Sequence, residues 1–206
     1  MALSTYDELK ASIADFLNRD DLTSVIPDFI TLAETGMNRE VRHWRMEKRA
    51  TAALDTQYTA LPSDFLEPIR MSLNTADTNT LEMVNAFQIS NLRAQNLNTS
   101  GRPVNFAILD GSIEVFPTPD ASYTLEMLYY ETIDTLNAQT TTNWVLTNFP
   151  DAYLYGSLVH SAPYLQEDTR ANTWAALYQK AINDINLESE RSKTSGSGRR
   201  MKIRSY

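Results

Sequence analysis

Two histidines, 26 carboxylates, six glycines and no cysteine bound the chemistry open to this chain. His43 and His160 are far apart and neither sits in a His-Glu-x-x-His spacing, so no metal pair is encoded locally. His43, beside Arg42 and Arg45, reads as a helix-end cation or a surface group. Ser157 precedes His160 by about one helical turn, a nucleophile and base in principle. Such pairs are assembled by geometry from separate elements, and no oxyanion-hole glycine motif accompanies them, so packing is the reading adopted. Asp64, Glu67, Asp110 and Asp151 could serve as acids or bases, but each has a local explanation as turn former, strand surface, hairpin turn or helix N-terminus. The glycines form neither GxGxxG nor GxxxxGK[ST]. Absent cysteine removes thiolate ligands, thiol nucleophiles and disulfides, and fits maturation in a reducing compartment. The residues therefore predict no catalytic, cofactor or metal site, and no enzyme.

Charge is unevenly spread. The formal net charge is −8, yet residues 190–206 carry six basic groups against Glu190, a net of +5, which leaves −13 on the remainder. An acidic body is a poor grip for phosphate backbones, which need clustered Lys and Arg. The segment Arg199-Arg-Met-Lys-Ile-Arg-Ser-Tyr206 interleaves basic and apolar residues. It reads either as a solvated end or as an arm that orders on a partner, with Met201, Ile203 and Tyr206 as anchors between Arg199, Arg200, Lys202 and Arg204.

Hydrophobic content of 42% and aromatic content of 10% suit a packed globule. No run approaches the roughly 18 apolar residues that cross a bilayer, and the N-terminus lacks the basic start and apolar core of a signal peptide. Thr5 with Glu8 is a capping box opening a helix in which Tyr6, Leu9, Ile13, Phe16 and Leu17 recur at helical spacing. A second helix starts near Pro27, with Ile26, Ile30, Ala33, Met37, Val41 and Trp44 as its stripe and Arg39, Arg42 and Arg45 at its dipole-favoured end. From about Lys48 the period becomes two. Thr51–Leu54, Tyr58–Leu61, Ile69–Leu73 and Leu81–Val84 read as strands, and Asn85 with Gln88 caps a short helix. Asp110-Gly111 is the type I′ dipeptide of a hairpin spanning Val104–Phe116, in which Phe106 and Ile108 face Ile113 and Val115. Tyr123–Tyr130 is a further strand, and Asp134–Thr142 is a polar connection. Leu154, Leu158, Ala162 and Leu165 mark a helix entered at Pro150 and stopped or kinked at Pro163. Asp168 caps a final helix with Trp174, Leu177, Tyr178, Ala181 and Ile185 on one face. Tyr129, Tyr130, Trp144, Phe149, Tyr153 and Tyr155 divide between core and interface anchors.

The fold class is α+β: a helical bundle platform built from N- and C-terminal helix pairs, with an inserted β-rich domain. The expected divisions are 1–47 and 138–194 for the platform, 48–137 for the insertion, and 195–206 for a flexible basic arm following Ser195-Gly-Ser-Gly198.

An ordered set of short pieces then resembles a known family. Leu17-Asn-Arg-Asp20, Ile26-Pro-Asp-Phe-Ile-Thr-Leu-Ala-Glu34, Met37-Asn-Arg39 and Arg42 open the set. Leu61-Pro-Ser-Asp-Phe-Leu66, Gly101-Arg-Pro103, Asp110-Gly111, Phe116-Pro-Thr-Pro119, Tyr129-Tyr130, Asn143-Trp144 and Pro150-Asp-Ala-Tyr-Leu-Tyr-Gly156 continue it. Together these are similar to the tail-adaptor (head-to-tail connector) proteins of short-tailed and related phages, over the chain to about residue 180. The resemblance implies a virion structural protein, located in the neck or tail after assembly in the host cytoplasm. Its subunits would form a ring, usually dodecameric, between the portal and a downstream tail or nozzle protein. DNA would pass through the channel without specific binding, with no cofactor and no membrane. C-terminal arms in such adaptors commonly dock on the portal, a role extended here as a hypothesis to Arg199 to Tyr206, which lie outside the matching part. Two other readings of the residues stand beside it: a small metal-dependent hydrolase or nuclease using acidic residues, and a monomeric binding module whose tail takes up nucleic acid.

Overall fold

The computed structural model describes residues 3–75, 79–96, 99–165 and 170–194. The protein is mixed α+β and divides into two compact units, one formed from Met1–Arg45 with Ile133–Tyr206 and one from Met46–Thr132.

In the first unit, α1 (Tyr6–Leu17) opens with the expected capping box, and Asn18 closes it in the left-handed conformation at φ 53°. The second helix, α2 (Ile26–Glu40), carries Pro27 in its first turn. It ends sooner than the apolar spacing suggests. Val41 is already extended, so Val41 and Trp44 do not extend the helical stripe, and of the three arginines only Arg39 lies in the last turn. The chain returns through a short helix, α4 (Trp144–Asn148), which the sequence pattern did not reveal, into α5 (Pro150–Leu165) and then α6 (Ala171–Thr194). Pro163 is accommodated within the last turn of α5. Asp168, expected to cap α6, lies outside the described residues.

Helix α5 is central to this unit: α1, α2, α4 and α6 all pack against it. Its burial is accordingly wider than the single face expected. Ala152, Tyr153, Leu154, Gly156, Ser157, Leu158 and Ser161 are buried, whereas Ala162 and Leu165 are only half-buried. Small residues permit this crowding. A Cβ on Gly156 would come within 3.0 Å of the Tyr178 ring and 3.1 Å of the Ala33 Cβ, so glycine there lets α2, α5 and α6 approach.

The second unit holds two four-stranded sheets. One has the order β1 (Glu47–Leu54), β8 (Tyr123–Glu131), β3 (Phe65–Leu73), β4 (Asn79–Thr80); the other has β2 (Tyr58–Ala60), β7 (Ser112–Phe116), β6 (Asn105–Leu109), β5 (Glu82–Met83). The Leu81–Val84 stretch is not one returning strand. The chain pairs briefly with β3 as β4, then changes sheet to run parallel to β6 as β5. The Asp110-Gly111 hairpin forms with Phe106 opposite Val115 and Ile108 opposite Ile113, and both turn residues have positive φ, 43° and 70°. In β3 a register shift between Pro68 and Arg70 takes Ile69 out of the expected alternation. Ile69 is 40% exposed while Met71 and Leu73 are buried.

Period-two alternation sorts the two faces of the second sheet. Ile113 and Val115 join Leu54, Met71, Leu125, Met127 and Tyr129 in a core shared by both sheets. Phe116, on the opposite face, packs with Ala107 and Ile89 of α3 (Ala86–Gln95).

Candidate functional site

The polar side chains that the structure brings together lie at junctions of the fold. The most buried set starts on α2. Glu34 occupies the helix's apolar face, one turn from Ile30, and is only 3% exposed. Its Oε1 accepts the Leu136 backbone N–H at 2.8 Å and the Tyr153 hydroxyl at 3.1 Å. The Tyr153 oxygen in turn accepts Asn143 Nδ2 at 2.6 Å, and the same amide nitrogen donates to the Asp134 carbonyl at 2.7 Å. Asn143 Oδ1 caps α4 by accepting the Leu146 N–H. One turn beyond Glu34, Asn38 accepts the Ile133 N–H at 2.8 Å. The returning segment 133–143 is thus fastened along its length by α2, by α5 and by the Tyr6 N–H, which donates to the Thr141 carbonyl.

Burial dominates the electrostatics here. It holds the Glu34 carboxyl above the ordinary carboxylate range, more than the two donated hydrogen bonds lower it. The Tyr153 hydroxyl is pushed far up, first by burial and then by the neighbouring Glu34 charge.

A second junction corrects the expectation for His43. It is fully buried, because α2 ends at Glu40 and the extended segment after it turns the ring inward. Its ring stacks on Trp144 with centroids 4.9 Å apart and planes 22° apart, with Trp44 and Phe149 also in contact range.

The second unit has two such junctions. Lys48 on β1 bridges Asp64 and Glu131, while the Tyr129 hydroxyl donates to Asp64 Oδ1 at 2.9 Å. Lys48 lowers the Asp64 carboxyl below its usual range; burial and Asp64 push the Tyr129 hydroxyl up to about 12. Beneath α3, Arg93 Nε lies 2.9 Å from Glu114 Oε1, and both side chains are largely buried. Arg93 also donates to the Val115 carbonyl and the Thr118 hydroxyl, and Gln57 donates to Glu114. Alternation in β7 places Glu114 on the α3 side of the sheet, so without Arg93 it would be a buried, poorly compensated charge.

The candidate acids and bases are not gathered into one place. Asp64 is held by Lys48 and Tyr129, Asp110 stands in the hairpin turn, and Asp151 is exposed in the first turn of α5. Glu67 sits on β3 opposite Tyr130. Ser157 is buried, with an Oγ lacking a hydrogen-bond partner among the described residues; its helix packing explains its position. His160 is half-buried, and burial followed by Arg39 lowers its pKa. Among the described residues there is no group of three or more His, Cys, Asp or Glu able to hold a metal ion. No described helix is long and apolar enough to cross a membrane. Of the six aromatics set apart by sequence, Tyr129 and Tyr153 are core, while Tyr130, Trp144, Phe149 and Tyr155 are half-buried. Arg199, Arg200, Met201, Lys202, Ile203, Arg204 and Tyr206 lie outside the described residues.

Buried carboxylates spent on backbone N–H groups and fixed counter-ions hold elements of the fold together. Residues 4–201 match the family model for the SU10 adaptor protein, and the chain belongs to this family of phage adaptor proteins. The match reaches past residue 180, where the resemblance had been expected to stop, and takes in Arg199, Arg200 and Met201. No curated protein matches the chain.

Proposed function

We propose that the chain is a virion connector subunit. It assembles into a dodecameric ring between the portal and the downstream tail or nozzle protein, and DNA passes through the ring without specific binding. The observation carrying this reading is the adaptor-family match over residues 4–201, nearly the whole chain. The helices of the first unit act as a platform, the β-rich unit is an insertion in it, and the basic arm from Arg199 to Tyr206 docks on the portal. A ring uses heterologous contacts, so each subunit presents two different complementary patches. The acidic balance of the chain supports a channel wall that repels DNA and lets it slide.

Mass measurement and negative-stain microscopy with purified portal test the proposal. Rings stacked on the portal are expected, and removal of residues 196–206 weakens that attachment without unfolding the chain. A persistent monomer that never engages portal counters the ring. Unchanged attachment after truncation counters the arm, and a channel lined mainly by Lys and Arg counters the sliding wall.

A further inference from the structure

We infer that His43 is a proton-sensitive latch, holding the last turns of α6 against residues 40–45 while neutral and releasing them when protonated. The end of α2 leaves backbone groups without helical partners, and side chains of α6 supply several. Asn186 accepts the Arg42 N–H at 2.9 Å and donates to the Glu40 carbonyl at 3.0 Å. Ser189 Oγ accepts the Trp44 N–H at 3.0 Å. His43 lies between these two clasps, fully buried.

The ring's proton inventory follows from its contacts. Nδ1 accepts the Arg45 backbone N–H at 3.2 Å, so it is unprotonated, and the neutral ring carries its proton on Nε2. Nε2 lies 3.9 Å from Glu188 Oε1 on α6. A second proton has to go onto Nδ1, where it would oppose the Arg45 N–H, donor against donor. Glu188 and the Trp144 ring face favour an imidazolium; burial and the nearby Arg42 and Arg45 oppose it. Trp144, stacked on the ring, and Phe149, edge-on to it, bring no charge. The ring therefore takes the proton with the 43–45 turn displaced, which draws the Trp44 N–H away from Ser189 and loosens α6 beyond Asn186. Residues 195–206 follow directly on α6, so the latch governs how firmly their root is held. Only this last consequence rests on the proposed arm; the latch does not.

Amide exchange of the full chain, resolved residue by residue and corrected for intrinsic rates, tests the latch between pH 7.5 and 5.5. Protection of the Trp44 and Arg45 amides is expected to fall about tenfold across that range, the change for an opened state that takes up one proton near its midpoint. Amides within α1 should keep theirs. His160→Gln should behave as the unaltered chain, and His43→Phe, which keeps an aromatic ring, should lose the pH dependence. Glu188→Gln, at a side chain 52% exposed and safe to alter, should move the onset to lower pH. Constant protection in the unaltered chain, an equal fall in His43→Phe, or an onset unmoved by Glu188→Gln would each overturn the latch. If His43→Phe does not fold, the Glu188→Gln comparison decides.

Discussion

Replacing Glu34 separates the worth of its hydrogen bonds from the cost of its charge. Glu34→Ala removes both bonds at Oε1 and leaves the Leu136 N–H without its acceptor, in a place where Leu136 itself is 4% exposed. Bonds to a charged acceptor contribute ~1.5–3 kcal/mol each, and an orphaned buried donor costs ~1–3 kcal/mol. Relief of the desolvated carboxylate offsets part of this, so we expect a net loss of about 3 kcal/mol. Glu34→Gln keeps an acceptor oxygen and removes the charge, and should lie within about 1 kcal/mol of the unaltered chain. The pH dependence has a definite sign. Burial raises the folded-state pKa of Glu34 above its unfolded value, so the unaltered chain is best placed relative to Glu34→Gln below the unfolded pKa, and loses ground as pH rises through the folded one. All three tryptophans, Trp44, Trp144 and Trp174, belong to the first unit, so their fluorescence in denaturant titrations reports that unit alone. Glu34→Gln as damaging as Glu34→Ala, or the opposite pH trend, would refute the assignment of burial as the dominant influence on Glu34.

Two further perturbations probe the other junctions. Arg93→Met strands Glu114 beneath α3 and should destabilise the β-rich unit by roughly 3–5 kcal/mol, seen as lost amide protection across β6 and β7; Arg93→Met with Glu114→Gln should recover part of it. Gly156→Ala sets a methyl 3.0 Å from the Tyr178 ring and should cost about 1–3 kcal/mol by tryptophan fluorescence, with Tyr178→Ala in the same chain reducing that increment.

What was legible in the sequence was what is decided locally. Thr5 with Glu8 and Asn85 with Gln88 form their capping boxes, and Asp110-Gly111 forms its hairpin, because each places donor, acceptor or positive φ within a few residues. What was not legible depends on distant partners. The switch of residues 79–83 from one sheet to the other is fixed by β3 on one side and β6 on the other. The burial of His43 is set by Trp144, about a hundred positions away, and α4 is too short to show a helical period. One signal was available. Glu34 lies on the Ile30, Ala33, Met37 stripe of α2, and a carboxylate on an apolar face points to a buried donor.

The residues that carried the family resemblance are, to a large extent, those now found fastening the fold. Glu34 and Asn38 receive the segment 133–137, Asn143 and Tyr153 join that segment to α4 and α5, Gly156 sets the approach of α6, and Asp64 ties its turn to β1 and β8. A buried polar network adds little to stability over an apolar packing of the same shape, but it admits fewer alternative arrangements. That is the property required when a chain leaves one unit, builds a second, and must rejoin the first in register. Chemistry at the same residues would ask for the opposite. A catalytic carboxylate needs a free oxygen facing a substrate, and Glu34 is 3% exposed with Oε1 already taken by two donors. The motif pieces are best understood as instructions for assembly of the subunit, and the surfaces that meet portal and tail are to be sought on what those fastenings hold rigid.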